Sequence, residues 1–318
     1  MASLREIKDR IGSVRSTLKI TSAMKLVASA KLRKAQKAIE GMRPYERTLA
    51  DILAALPAGV SPQRANENYF SGKFAEKPIS ASPSTTPAHD TPAAIVAIAS
   101  NSSLCGGFNA NVIRKALETI RACEGPVEVY PLGRKMVEAL RRAGYTCPAD
   151  YNDLVGHPSY EKSAALARSL AERFERGELS RVVLVYNRFA STSRQEPVAE
   201  PYLPFTSTST SFAGPSSSGP GPSSSFAGLT GESPADNDFI LEPDAAALAA
   251  QLLPQVMILK FHAAILDSAA AEQAARTIAM QTASDNAEDL LGELTLEYNK
   301  GRQQKITSEI LDLLGGAQ

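Results

Sequence analysis

Tryptophan is absent from the 318-residue chain, cysteine and histidine occur only three times each, and aromatic residues make up 6%. Each scarcity removes a class of function. So few rings leave little from which to build a carbohydrate cleft or a base-stacking platform. Cys105, Cys123 and Cys147 are an odd number at no metal-ligand spacing, which fits free thiols in a reducing compartment. His89, His157 and His262 are too scattered to complete a zinc site. Net charge is missing as well: 34 basic side chains balance 34 acidic ones, which argues against a protein that coats a polyanion. No run approaches the roughly 18 consecutive apolar residues that a membrane span needs. The charges from Arg5 to Arg10 interrupt what would have to be a signal-peptide core, so membrane association is expected only through a partner.

What is present is helix at both ends. Leu4, Ile7, Ile11, Val14 and Leu18 recur at steps of three and four, a narrow stripe that suits a coiled-coil seam. Ser3 and Glu6 have capping-box spacing and would start the helix there. Gly12 and Gly41 weaken the run, and Pro44 is expected to bend or interrupt it, leaving two helical pieces. The second long helix runs from Asp244 to Leu314, with Pro254 disturbing only its first turns. The proline-free stretch from Phe261 onward would form a rod on the order of 80 Å. A rod of that length needs a partner, and the N-terminal helix is the obvious one. Residues 1–56 hold 12 basic and 5 acidic side chains, a net +7, whereas 261–318 hold 4 and 9, a net −5. Opposite excesses favour association of the two helices, although each exposed pair contributes little.

Between the helices, short apolar runs alternate with helical patterns. Strands are expected at Ala94–Ala99, Val127–Leu132 and Val182–Asn187, with a further one near Glu196–Leu203. Helices are expected near Asn109–Cys123, Arg134–Ala143 and Lys162–Glu175. The organisation is therefore an N-terminal coiled-coil helix (1–56), a linker (57–92), a Rossmann-like α/β domain (93–205), a low-complexity loop (206–234) and a C-terminal coiled-coil helix (235–318). The loop is Ser-, Thr-, Gly- and Pro-rich with Glu232 as its only charge, a composition too poor in apolar surface to offset its conformational entropy.

Candidate chemistry is thin. No Walker A sequence occurs, and Gly72-Lys73-Phe74 lacks both the upstream glycine and the hydroxyl residue. The run from Ser103 to Asn109 follows the first strand and opens a helix, where a phosphate-binding turn would sit. It is not GxGxxG and no lysine follows, so a tight strand-to-helix turn is the better reading. Cys105 stands at that helix N-terminus, where a thiolate is favoured, but a buried thiol is the commoner case. Lys31, Arg33, Lys34 and Lys37 read as a solvated helix face or one turned to an acidic partner, not as a nucleic-acid site. Taken alone, Gln273, Arg276, Gln281, Tyr298, Asn299, Lys300, Arg302 and Gln303 read as surface polarity on a rod.

Three segments carry a resemblance: SLREIKDRIGSVRSTLKITSAMKLVASAKLRKAQ (Ser3 to Gln36), SSLCGGFNANV (Ser102 to Val112) and AEQAARTIAMQTASDNAEDLLGELTLEYNKGRQQKITSEILDLL (Ala271 to Leu314). Together they resemble the gamma subunit of the F-type ATP synthase. The resemblance implies an antiparallel coiled coil of the two terminal helices, the central shaft of a rotary motor. It implies no catalysis, cofactor or metal in this chain, because the nucleotide sites, Mg²⁺ ligands and arginine finger belong to the surrounding hexamer. Its implied partners are the alpha and beta subunits, the epsilon and delta subunits and the c-ring, with the α/β domain at the foot beside epsilon and the ring. Met24 and Lys25 would face the mobile domains of the beta subunits, and Gln273 and Arg276 would hydrogen-bond a beta-subunit loop. Ile306, Ile310, Leu313 and Leu314 would form an apolar tip in a sleeve at the top of the hexamer. Asn101, Ser102 and Ser103 are neutral where many relatives carry a charge before the LCGG turn, so no role attaches to them. Neither insert holds a regulatory cysteine pair. The start at Ala2, with no transit peptide, favours a bacterial protein on the cytoplasmic face of the inner membrane. From another class, a free-standing coiled-coil adaptor with a ligand-binding α/β domain remains the alternative.

Overall fold

Helix α1 (Leu4–Ala54) begins on a reciprocal cap: the Ser3 backbone N–H donates to Glu6 Oε2 at 3.0 Å and the Glu6 N–H to Ser3 Oγ at 3.3 Å. A computed structural model describes residues 3–54, 91–123, 125–147, 151–204 and 245–315. The 206–234 loop and all but the last two residues of the 57–92 linker lie outside them. After α1 come β1 (Ala93–Ile98), α2 (Phe108–Arg121), β2 (Val127–Leu132), α3 (Arg134–Arg142), α4 (Asn152–Gly156), α5 (Tyr160–Glu175), β3 (Arg181–Phe189), β4 (Gln195–Leu203) and α6 (Ala245–Gly315).

Pro44 does not divide α1. The missing N–H costs one backbone bond, but Met42 and Leu49 on either side pack into the protein core, and the helix continues through the proline. Thr48 Oγ1 donates to the Pro44 carbonyl at 2.9 Å, tying the next turn back to the proline. Pro254 is likewise carried inside an unbroken α6, between core residues Leu253 and Val256.

The sheet has strand order β2-β1-β3-β4, with β2, β1 and β3 parallel and β4 antiparallel on the edge. Alternating residues of β1 feed two cores. Ile95 and Ala97 face α2 and α3 through Val112, Ala116, Ile120, Met136 and Leu140. Ala94, Val96 and Ile98 face α5 and the first half of α6 through Leu166, Leu170, Leu253, Phe261 and Ile265. Gly133 joins β2 to α3 at φ +97°, and a Cβ there would lie 2.1 Å from the Ala99 carbonyl oxygen, so only glycine fits.

Beyond the sheet the two long helices form a rod. On α1 the seam runs Leu4, Ile7, Ile11, Val14, Leu18, Thr21, Lys25, Ala28, Leu32, Ala35, Ile39 and Met42, each buried or half-buried, in an unbroken alternation of threes and fours. On α6 the matching set is Met280, Ser284, Ala287, Leu291, Leu294, Tyr298 and Gly301. Two contacts fix the antiparallel register. Leu4 lies against Gly301, where a Cβ would come within 3.1 Å of its Cδ2, and Thr21 Oγ1 is 2.8 Å from Ser284 Oγ. Thr21 donates its proton to the Leu18 carbonyl at 3.1 Å, so Ser284 is the donor in the cross-helix bond. Among the described residues of this outer rod, no ion pair joins the two helices; the one there, Lys305–Glu309, lies within α6. The opposite charge excesses therefore act at longer range than contact pairs, and the seam itself is mainly apolar, with the Thr21–Ser284 layer and the half-buried Lys25 as its polar positions on α1.

An 18-residue window between Gln251 and Leu311 is apolar enough to cross a membrane by composition, yet 78% of it is buried inside the protein. Its apolarity serves the sheet and α1.

Removing the acceptor in the polar layer with Thr21→Val should destabilise the chain by about 1–3 kcal/mol in urea unfolding, and Thr21→Val with Ser284→Ala by less than the sum of the two. Gly133→Ala combines a left-handed backbone with a backbone clash and should cost roughly 3 kcal/mol or more in the same assay.

Candidate functional site

The turn between β1 and α2 is built from small polar side chains. Ser100 N–H donates to Asn109 Oδ1 at 3.1 Å, Asn109 Nδ2 donates back to Ser100 Oγ at 2.8 Å, and Ser100 Oγ donates to the Ser102 carbonyl at 2.5 Å. This closed ring holds the loop while Leu104 and Gly106 take left-handed conformations at φ +66° and +56°. A leucine there costs on the order of 1 kcal/mol, and its side chain faces solvent. The Phe108 N–H closes the turn by donating to the Cys105 carbonyl at 3.2 Å. Cys105 is buried 3.1 Å from Asn109 Nδ2 and packs with Phe108 and Ala271, a structural thiol.

Gly106 seats the turn on α6, where a Cβ would meet Ala279 Cβ at 3.7 Å. One helical turn away, Arg276 Nη2 donates to Glu272 Oε1 and to Ser102 Oγ, both at 2.7 Å. Arg276 is 8% exposed and Glu272 is 7% exposed, so the reading of Arg276 as surface solvation fails. Burial pushes the Glu272 carboxyl above its ordinary pKa, opposed by the Arg276 guanidinium and more weakly by Lys31.

The other sequence-derived residues are spread along the rod. Met24 and Lys25 are half-buried on α1, and Gln273 is half-buried on α6. Ile306, Ile310 and Leu314 are exposed, at 47%, 51% and 68%. Leu313 shares their helix, with its side chain outside the described set. Leu4 stands opposite Gly301, so this segment runs past the start of α1 as a single helix. Arg276 and Ile306 are thirty residues apart, roughly 45 Å of helix. The candidates thus form two stations on one shaft.

Sequence reasoning passed over an apolar stripe beside Met24. Ile20, Leu26 and Val27 are 59%, 71% and 56% exposed. All three fall outside the 4-7-11-14-18 seam, and that departure was the signal available. Ser102 and Glu272 were also missed.

Deeper in the α/β domain, the buried His262 Nδ1 lies 2.8 Å from Ser163 Oγ, and its ring stands edge-on to Tyr160. Burial lowers the pKa of His262 from 6.5. Below that pH the unfolded chain takes up a proton that the buried ring refuses, so the His262 contribution to stability is present above 6.5 and is lost as pH falls. Unfolding midpoints measured from pH 8 to pH 5 should decline less in His262→Gln than in the parent chain.

A small α/β domain that roots a two-helix rod, with candidate contacts at stations along the rod, defines a shaft-type subunit. A sequence profile of the family described as ATP synthase matches residues 3–318. The ATP synthase gamma chains of Bacteroides fragilis and Phocaeicola vulgatus are 44% and 42% identical to this chain, covering 100% of it and 99% of each relative. A chain of the Tetrahymena thermophila mitochondrial ATP synthase central stalk/c-ring structure shares the fold at a TM-score of 0.51 and 21% identity, covering 83% of this chain and 99% of its own. The chain belongs to the ATP synthase gamma-chain family, the non-catalytic central rotor stalk of the F-type enzyme.

Proposed function

We propose that the chain couples ion flow through the membrane c-ring to sequential conformational change of the catalytic beta subunits. Within an ATP synthase it would turn inside the alpha and beta hexamer, with the α/β domain beside the epsilon subunit and the c-ring, and with the delta subunit in the same complex. The assembly would lie on the cytoplasmic face of a bacterial inner membrane, held there through its partners.

The observation that carries this reading is the apolar end of α6, exposed where α1 has already stopped. A lone helix with Ile306, Ile310 and Leu314 open to water is incomplete without a surrounding surface. An apolar sleeve suits a turning contact, because it forms few directional bonds that rotation would have to break. The stripe of Ile20, Leu26 and Val27 next to Met24 and Lys25 supports a second contact nearer the α/β domain, with Gln273 about two turns further toward that domain. An off-axis pair of helices presents a different face to each beta subunit, so rotation would favour open, loose and tight nucleotide sites in turn.

Alpha and beta subunits purified with and without this chain separate the rotor from a free-standing adaptor. Rotary ATPase activity should require the chain; full activity of the complex without it would defeat the reading. At the tip, Ile310→Asp should lower coupled ATP synthesis several-fold in the reconstituted complex, whereas Ile310→Leu stays near the parental rate.

A further inference from the structure

Helix α6 passes from one environment to another at a definite point. From Leu253 to Ala275 it packs on the sheet, on α5 and on the β1–α2 turn as well as on α1. At Met280 and beyond, its seam residues face α1. The last contacts with the α/β domain are the seat of Gly106 against Ala279 and the bond from Arg276 to Ser102. Along α6, twist arriving from the rod meets this collar first, before the stretch buried in the domain.

The collar is built to resist twist. Apolar contacts such as Ala271 against Cys105 and Phe108 hold the turn on the helix but are non-directional and permit small slides. The Arg276 bonds are short, charge-assisted and directional. One nitrogen, Nη2, spends one proton on Glu272, a turn back on the same helix, and the other on Ser102, 174 residues away in sequence. Glu272 holds the guanidinium plane, and the Ser100–Asn109 ring holds the Ser102 backbone. Both ends of the bridge are therefore positioned before it closes.

We propose that Glu272, Arg276 and Ser102 form a lock that fixes the angular position of the α/β domain on the shaft under load. Arg276 is a positioning residue that works inside its own chain, and Ser102 is the acceptor through which the domain is gripped. The lock rests on the rotor reading above, since an unloaded protein has no use for it.

The test uses complete ATP synthase reconstituted in vesicles, with ATP-driven ion uptake per ATP hydrolysed measured against a rising opposing gradient. Thermal melting of each complex is recorded alongside. Ser102→Ala should leave melting and unloaded hydrolysis near parental values while uptake per ATP falls several-fold under load. Ser102→Thr, which keeps the hydroxyl, should restore it. Ser102→Ala combined with Arg276→Ala should be no worse than Arg276→Ala alone, because both remove the same bridge. A Ser102→Ala complex that matches the parent under load, or losses that multiply in the double variant, would overturn the lock and leave the rotor reading standing. Failure of the parental chain to support any ATP-driven uptake would instead overturn the rotor reading.

Discussion

The structure depends on one helix satisfying two packings at once. Over residues 256–272 nearly every side chain of α6 is buried, because one face lies on the sheet and the opposite face on α1. Beyond small slides, such a helix cannot rotate about its axis without exposing apolar surface on both sides. Its angular setting in the α/β domain therefore sets the phase of the seam further out, with no joint between. The buried polar groups of this stretch raise the cost of a slip further. His262 would lose Ser163, and Arg276 would lose Ser102 while keeping Glu272 on its own helix.

Farther out the rod is held by much less. The seam is a single file of side chains on each helix, and the exposed faces carry residues that a monomeric rod would not choose, such as Leu26 and Leu296. Its hydrogen-bonded layer, Thr21 with Ser284, suits specificity of register better than strength: a shift by a turn would take the Thr21 acceptor away from Ser284, while Thr21 keeps the Leu18 carbonyl. Small residues gather near the collar, where Ala35, Ala270 and Ala274 let the helices approach closely. Larger ones, Leu291, Leu294 and Tyr298, lie toward the free end.

Local patterns were legible because their causes are local. The capping box at Ser3 and Glu6, the steps of three and four in α1 and the apolar runs of β1, β2 and β3 all appear in the sequence as the structure has them. Pro44 and Pro254 were misread for the opposite reason. A proline in a helix costs about 3 kcal/mol locally, which tertiary packing on both sides of each proline outweighs, and a sequence window does not see that packing. Arg276 shows the same limit in a functional residue. Periodicity places it on a face of α6, but the turn that covers this face is contributed by residues 174 positions away. The neutral Ser102 was given no role in the sequence, whereas in this chain its hydroxyl is what a neighbouring guanidinium can use.

The charge balance of the whole chain takes its meaning from this arrangement. The basic α1 and acidic α6 do not pair by contact along the described outer rod, so apart from the half-buried Lys25 the charges of α1 stay on its solvent-facing side. Lys31, Arg33, Lys34 and Lys37 are exposed on α1 just where the rod leaves the collar. A shaft that used those lysines and arginines to hold its own helices together would have none left to meet acidic surfaces around it. By giving cohesion to an apolar seam and angular grip to one buried bridge, the fold leaves its basic face free for attraction that is long-ranged, screened and weak enough to be remade at each turn.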